Sequence, residues 1–192
     1  MIEQEINACC RLIKPEDLEM IMDWRMRPEI TRYMNTDPKL TIEGQKKWLQ
    51  KIQQSETEWS WILEVEGVPA GVVSLGNYDG NKVYTGVYIA VKEKRSLKLT
   101  LYLQWNLYRY AFEYLHVNKV CEEIFSENKA VNRMMDMCGS KREGVLRSHI
   151  CKNGQYYDMV VRGILKEEWD SMKDNLKYDK IVFELKEGTE CF

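Results

Sequence analysis

The centre of the chain reads Gly86-Val87-Tyr88-Ile89-Ala90, an apolar stretch followed by the charged turn Lys92-Glu93-Lys94-Arg95. Residues 83–91 have the composition of a strand, and residues 96–115 repeat apolar side chains at helical spacing. A strand, a tight turn and a long helix place the unpaired N–H groups of the helix start beside the end of the strand. Such a helix start is suited to binding an anion.

Strands and helices are predicted on both sides of this central unit. The predicted strands are residues 7–13, 59–65, 70–75, 83–91, 120–125, 141–151 and 156–165, and the predicted helices begin near Pro15, Thr41, Ser96 and Asn128. Asp79-Gly80 and Asn153-Gly154 are hairpin turn signals. The order β, α, α, β, β, β, α, β, α, β, β predicts a mixed α/β fold, a sheet with helices on both faces.

Length and composition narrow the class of protein. The 192 residues predict one domain over 1–169 and a charged tail over 170–192, in which 180–185 could form an extra strand. With 28 basic against 30 acidic side chains, nucleic acid is an unexpected partner. No window approaches about 18 consecutive apolar residues, and the first residues lack the pattern of a signal peptide, so no membrane partner is expected. Six cysteines without a C-x-x-C pair predict reduced thiols in a cytoplasmic protein and no metal site.

The motifs resemble those of the GNAT acyltransferases. Gly86–Ala90 resembles their fourth strand, and Asn128-Lys129-Ala130 with Cys138-Gly139 resembles their asparagine-containing helix. The hairpin from Lys141 to Asp158 resembles that of the ribosomal-protein N-terminal acetyltransferase branch. The resemblance implies a mostly antiparallel seven-stranded sheet and an acetyltransferase that uses acetyl-CoA, as a monomer or homodimer.

The same resemblance implies which residues contact acetyl-CoA. These are Tyr88, Ile89, Ala90, Arg95, Ser96, Leu97, Lys98, Leu99, Thr100, Asn128 and Arg133. The family's phosphate loop reads Arg/Gln-x-x-Gly-x-Gly/Ala, whereas residues 95–100 keep the arginine and lack both glycines. Local charge compensates in part, since Lys92, Lys94, Arg95 and Lys98 face only one acidic neighbour. Asn128 could equally serve only as a helix cap. Arg133 could equally be a solvated residue on the helix surface.

Two catalytic positions of the family are altered. The tyrosine that often protonates the departing thiolate falls at Met135, which has no proton to give. The carboxylate that many relatives use as a base falls at Thr85. The remaining base candidates are Asp158, a bound water and His149, of which His149 is preferred because its ordinary pKa suits neutral pH. A plain hairpin position for His149 remains open.

The acceptor is predicted from an N-terminal stretch. Trp24-Arg25, Pro28-Glu29, Tyr33-Met34 and Thr36 resemble the amino-sugar N-acetyltransferases of pseudaminic acid biosynthesis, which act on a UDP-linked amino sugar. The resemblance implies that Trp24, Arg25, Tyr33 and Met34 flank the acceptor, in a pathway of polysaccharide biosynthesis. Core packing is the alternative for Trp24. Two other functions stay open: a protein or peptide N-terminal acetyltransferase, and a degenerate member that binds a ligand without turnover.

Overall fold

The computed structural model describes residues 5–186 and 191–192. The start of the chain, where a signal peptide is not expected, and residues 187–190 of the predicted tail lie outside the described residues. The strands are β1 (Ala8–Leu12), β2 (Trp59–Val65), β3 (Val68–Gly76), β4 (Lys82–Ile89), β5 (Lys119–Phe125), β6 (Lys141–Lys152), β7 (Gln155–Leu165) and β8 (Val182–Phe183). The helices are α1 (Leu18–Met26), α2 (Pro28–Thr31), α3 (Ile42–Gln54), α4 (Leu97–Arg109), α5 (Lys129–Met137) and α6 (Lys166–Met172).

The local signals explain where several elements begin and turn. The side chains of Thr41, Ser96 and Asn128 cap α3, α4 and α5 by accepting backbone N–H groups of the first turn. The long helix predicted to run to residue 115 ends as an α-helix at Arg109 and continues as a π-helical turn over Tyr110–Tyr114. In the last hairpin Asn153 and Gly154 both have positive φ, as its two-residue turn requires.

One sheet runs through the described part of the chain in the order β6-β7-β5-β4-β3-β2-β1-β8. It confirms the mixed, mostly antiparallel architecture, with β4–β5 and β1–β8 as its parallel pairs. The sheet has eight strands instead of the predicted seven because the short β8 pairs with β1 at Cys9 and Cys10. None of the described helices is both long and apolar enough to cross a membrane.

The strands β4 and β5 separate after only three residue pairs. Lys82, Val83 and Tyr84 face Lys119, Val120 and Cys121, and from Thr85 onward β4 has no neighbour on this side. The other edge of β4 stays paired to β3 as far as Ile89. The sheet therefore contains a gap between Thr85–Ile89 and the second half of β5.

Apolar cores cover both faces of the sheet. On one face α4 and the π-helical turn pack Leu103, Leu107 and Tyr110 against Trp61 and Val120. On the other face α1 and α3 pack residues such as Leu18, Ile21 and Leu49 against Ile62 and Val72. The gap thus lies between two packed layers, with helices on both faces of the sheet.

The C-terminal segment packs within the first of these cores. Ile181, Phe183 and Leu185, which fall inside the predicted tail, are buried there. The amide of Asn106 donates to Asp179 O at 3.0 Å and accepts from Ile181 N at 3.0 Å. The boundary expected at residue 169 therefore does not mark the end of the packed structure, because the alternating apolar residues of 181–185 bury one face despite their charged neighbours.

Candidate active site

A cavity of about 960 Å³ passes through the gap between β4 and β5. On one face of the sheet it is lined by α4 and α5, and on the other by α1, α2 and α3. Most of the residues implied by the resemblance line it, namely Tyr88, Ile89, Arg95, Ser96, Leu97, Thr100, Asn128, Arg25, Tyr33 and Met34. The fold thus brings residues more than 100 positions apart in sequence to one chamber.

The open edge of β4 presents backbone groups to this cavity. Ala90 N donates to Ala70 O at 2.7 Å, so the Ala90 N–H points toward β3. Because backbone groups alternate along a strand, the Tyr88 N–H also faces β3, whereas the N–H groups of Val87 and Ile89 face the gap. A backbone donor that polarises the acetyl carbonyl is expected at residues 88–90, and of these only Ile89 directs its N–H into the gap. Val87, just before this range, directs a second N–H into the gap.

The start of α4 forms the second wall. Ser96 Oγ accepts from Leu99 N at 3.1 Å, and the side chain of Leu99 is buried in the core, so Leu99 supports this wall from behind. Arg95 Nε donates to Ile89 O at 2.8 Å, which ties the turn to the end of β4. Lys98 lies over the Tyr102 ring at 5.3 Å, outside the cavity lining.

The helix α5 forms the third wall through Asn128 and Met135. Asn128 Oδ1 accepts from Val131 N at 3.4 Å, so its capping role is present, and the residue also lines the cavity. Met135 lines the cavity as well, at the position where the resemblance implies a tyrosine, and its thioether has no proton to give. Arg133 is exposed and does not line the cavity.

The segment that follows α1 forms the wall on the opposite face of the sheet. The Arg25 guanidinium contacts the Met34 sulfur, and the Tyr33 ring packs on Phe125 with centroids 6.2 Å apart. Burial raises the pKa of the Tyr88 hydroxyl, which stays protonated beside this wall. Trp24 is only 4% exposed and belongs to the core, so it supports the wall without lining the cavity.

The tip of the β6–β7 hairpin holds this wall in place. Lys152 Nζ donates to Thr31 O at 2.6 Å and to Met34 O at 3.2 Å, and lies 3.0 Å from Asp37 Oδ1. Asn153 Nδ2 donates to Asp37 Oδ2 at 2.9 Å. This anchor was not visible in the sequence because it joins residues about 120 positions apart.

The structure does not bring His149 to the cavity. Five residues of β6, from Leu146 to Ile150, oppose only three of β7, from Tyr157 to Met159, so Arg147, Ser148 and His149 bulge out of the pairing. Ser148 N donates to Asp158 Oδ1 at 2.7 Å, and His149 and Asp158 line a separate, open concavity. Neither side chain lines the chamber through the sheet.

Two carboxylates of β5 line the cavity and were missed in the sequence. Glu122 is buried and accepts from Tyr108 Oη at 2.8 Å and from Ser140 Oγ at 2.7 Å. Burial raises the pKa of Glu122, partly offset by these two donors. Glu123 is exposed, and alternation along β5 places it on the same face as Phe125, toward Tyr33. Two glutamates inside an apolar strand were the available signal.

The comparisons with known proteins agree with this architecture. Residues 8–141 match the family model Acetyltransf_3, described as acetyltransferase (GNAT) domain. The SPbeta prophage-derived N-acetyltransferase YokL of Bacillus subtilis (strain 168), described as uncharacterized, is 28% identical over 168 residues, 85% of this chain and 93% of YokL. Acetyltransferase PseH of Campylobacter jejuni subsp. jejuni serotype O:23/36 (strain 81-176) is 25% identical over 118 residues, 61% of this chain and 72% of PseH. A spermidine N-acetyltransferase from Vibrio cholerae, solved with CoA and spermine, has a TM-score of 0.79 at 20% identity, covering 84% of this chain and 97% of that chain.

Proposed function

The chain belongs to the GNAT acetyltransferase domain family and is an acetyl-CoA-dependent N-acetyltransferase, and from that premise we propose that its acceptor is a small nucleotide-linked amino sugar. The observation that carries the proposal is a single chamber whose two sides, one on each face of the sheet, differ in chemistry. One side offers backbone donors and a helix start to an acyl donor. The other offers Arg25, whose planar guanidinium suits a diphosphate, together with the Tyr33 ring.

The residues present fit acetyl-CoA on a structural criterion, because the edge of β4 is open where the donor must bind. Acetyl-CoA supplies a thioester and phosphate groups when bound. Val87 and Ile89 would direct N–H groups to its carbonyl, and Arg95, Ser96, Leu97 and Thr100 would hold the phosphate-bearing part. Lys98 and Arg133 lie outside the lining and remain predictions for contacts at the surface.

We assign the acceptance of the amine proton to Glu123 in place of His149. A base must lie within hydrogen-bond reach of the amine, directly or through one water. Glu123 lines the chamber on the acceptor face, whereas His149 lines a different concavity. Its exposed carboxylate passes the proton on to solvent. Asn128, beside the opening, would orient a bound water or the donor.

A second candidate acceptor is a polyamine. Glu29 and Glu123 both line the acceptor wall and would pair with the ammonium groups of a polycation. The Vibrio cholerae enzyme with the same fold was solved with spermine. A peptide N-terminus is a third candidate, and a non-catalytic ligand-binding role is the fourth.

One assay separates these candidates. The purified protein receives acetyl-CoA with UDP-glucosamine, glucosamine, spermidine or peptides of varied N-termini, and thiol release is followed. Turnover should be best with UDP-glucosamine among these amines. Because charge-assisted hydrogen bonds are lost, Arg25→Ala should lower kcat/KM for UDP-glucosamine about 10-fold or more and leave that for glucosamine nearly unchanged.

The matched control is Arg27→Ala, since Arg27 pairs with Asp23 on the surface and does not line the cavity. Preferred turnover of spermidine, abolished by Glu29→Gln, would replace the sugar by a polyamine. Preferred turnover of peptides would establish the N-terminal acetyltransferase. No turnover with any amine, despite binding of acetyl-CoA, would leave the ligand-binding role.

A further inference from the structure

We propose that the chamber contains a second subsite, away from the reacting amine, which binds an uncharged group of the acceptor that carries hydroxyl or carbonyl oxygens. The subsite is formed by Ser60, Ser74 and Gln45, with Trp48 beside them. This proposal rests on the proposed function and names what the far end of the acceptor must be.

Small residues in register form the floor of this subsite. Gly86 of β4 faces Ser74 of β3, and Ser74 faces Ser60 of β2. A Cβ on Gly86 would lie 2.6 Å from Ser74 Oγ, so only glycine leaves space above this row of residues. All three residues line the cavity, which therefore reaches two strands beyond the gap, roughly 10 Å at the usual strand spacing.

The helix α3 covers the far end of the row. Gln45 and Trp48 are one helical turn apart, so they share a face of the helix, and both line the cavity. Trp48 offers an aromatic surface to a ring, while Gln45 offers an amide donor and acceptor. Such a pair suits a polar ring better than an alkyl chain.

Two polar side chains here have no internal partner. Ser60 is 7% exposed and Gln45 is 8% exposed, and neither side chain forms a hydrogen bond within residues 5–186 and 191–192. The polar atoms of both side chains open onto the cavity and are not sealed in the core, where unpaired groups cost free energy. Since both line the chamber, a ligand that enters it can supply the missing partners.

The absence of charge at this end limits the ligand. The charged residues that line the cavity in the described structure lie on α1, α2, the turn after β4, and β5, and none lies on β2, β3 or α3. An ammonium or phosphate group at the far end would stay unpaired. An uncharged pyrimidine base, which a nucleotide-linked amino sugar carries and bare glucosamine lacks, satisfies the polarity of the subsite.

The test removes the two polar groups separately with Ser60→Ala and Gln45→Met. The melting temperature of the substrate-free variants should stay close to that of the wild type, because neither side chain has a hydrogen-bond partner to lose within the described residues. With substrate, each variant should lower kcat/KM for UDP-glucosamine about 3- to 10-fold, the loss expected from one hydrogen bond. The values for glucosamine and acetyl-CoA should stay unchanged. Gln50→Met, on the exposed side of α3, is the control for both readouts.

Other outcomes overturn the subsite. A fall of several degrees in both substrate-free variants would show structural roles for Ser60 and Gln45. When turnover is present, equal losses of kcat/KM on UDP-glucosamine and glucosamine would contradict the subsite, and so would the absence of any loss. If no amine is acetylated, the proposed function fails, and calorimetry with UDP-glucosamine on the CoA-saturated protein decides the subsite. Binding weakened by Ser60→Ala supports it, and undetectable binding at millimolar ligand contradicts it.

Discussion

At the scale of single residues, Glu122 is a carboxyl group buried away from water. Its raised pKa means that the folded protein holds this proton more tightly than the unfolded chain does. Its contribution to stability is therefore fully present below the ordinary value of 4.5 and is lost as the pH rises through the folded pKa. In Glu122→Gln this loss is absent, so the stability of the variant relative to wild type, measured as the free energy of unfolding in urea titrations, should increase from pH 4 to pH 7.

The control for this prediction is Glu127→Gln, because Glu127 is exposed in the turn before α5. Its difference from wild type should stay constant over the same pH range. A pH-independent difference for Glu122→Gln as well would mean that the Tyr108 and Ser140 hydrogen bonds outweigh the burial of the charge.

At the scale of elements, the β6–β7 hairpin fixes the acceptor wall through Lys152. Lys152→Met should leave Thr31 O and Met34 O without their donor and free residues 31–37 to move. Hydrogen exchange of this segment should speed up, and kcat/KM for the best acceptor should fall about 10-fold, since a small displacement at the site is costly. The affinity for acetyl-CoA, measured by calorimetry, should not change.

Lys166→Met is the matched control, because it removes an exposed ion pair with Asp170 far from the chamber. Lys152→Arg should recover part of the loss, as its guanidinium can still donate to the carbonyls. Faster exchange throughout the sheet, instead of only over residues 31–37, would show that Lys152 stabilises the whole fold and not this wall.

At the scale of the whole molecule, the C-terminal segment completes the core, and Asn106 is one of its polar links. Asn106→Leu leaves Asp179 O and Ile181 N unpaired in a buried place. We expect the free energy of unfolding to fall by about 2–4 kcal/mol, a sum over these buried groups. Urea denaturation checks this, with the exposed Asn175→Leu expected to change it by less than about 0.5 kcal/mol. A loss that small for Asn106→Leu would mean that the segment is held by its apolar side chains and its other hydrogen bonds, such as the one from Trp61 Nε1 to Glu184 O.

What could be predicted from sequence was local. Thr41, Ser96, Asn128 and the Asn153-Gly154 turn act on their own neighbours, so their patterns gave most element positions and the mixed architecture. The site required tertiary information. The orientation of Glu123 depends on the register of β5, the exclusion of His149 on a bulge in β6, and the Lys152 anchor on the approach of a distant hairpin. None of these leaves a periodic signal.

The three-residue seam between β4 and β5 has a mechanical consequence. Along this line the two halves of the sheet share the three residue pairs at Lys82–Tyr84, so the N–H groups of Val87 and Ile89 lack the strand partners that an inner strand normally provides. An acyl donor bound at this gap, as proposed above, would take the place of the missing strand and connect the two halves. Saturating acetyl-CoA should therefore slow hydrogen exchange at residues 85–89 and 122–125 more than anywhere else. At 100 times its Kd it should raise the free energy of unfolding by about 2.7 kcal/mol. Protection confined to the start of α4 would contradict this, because the donor would then contact only one of the two halves of the sheet.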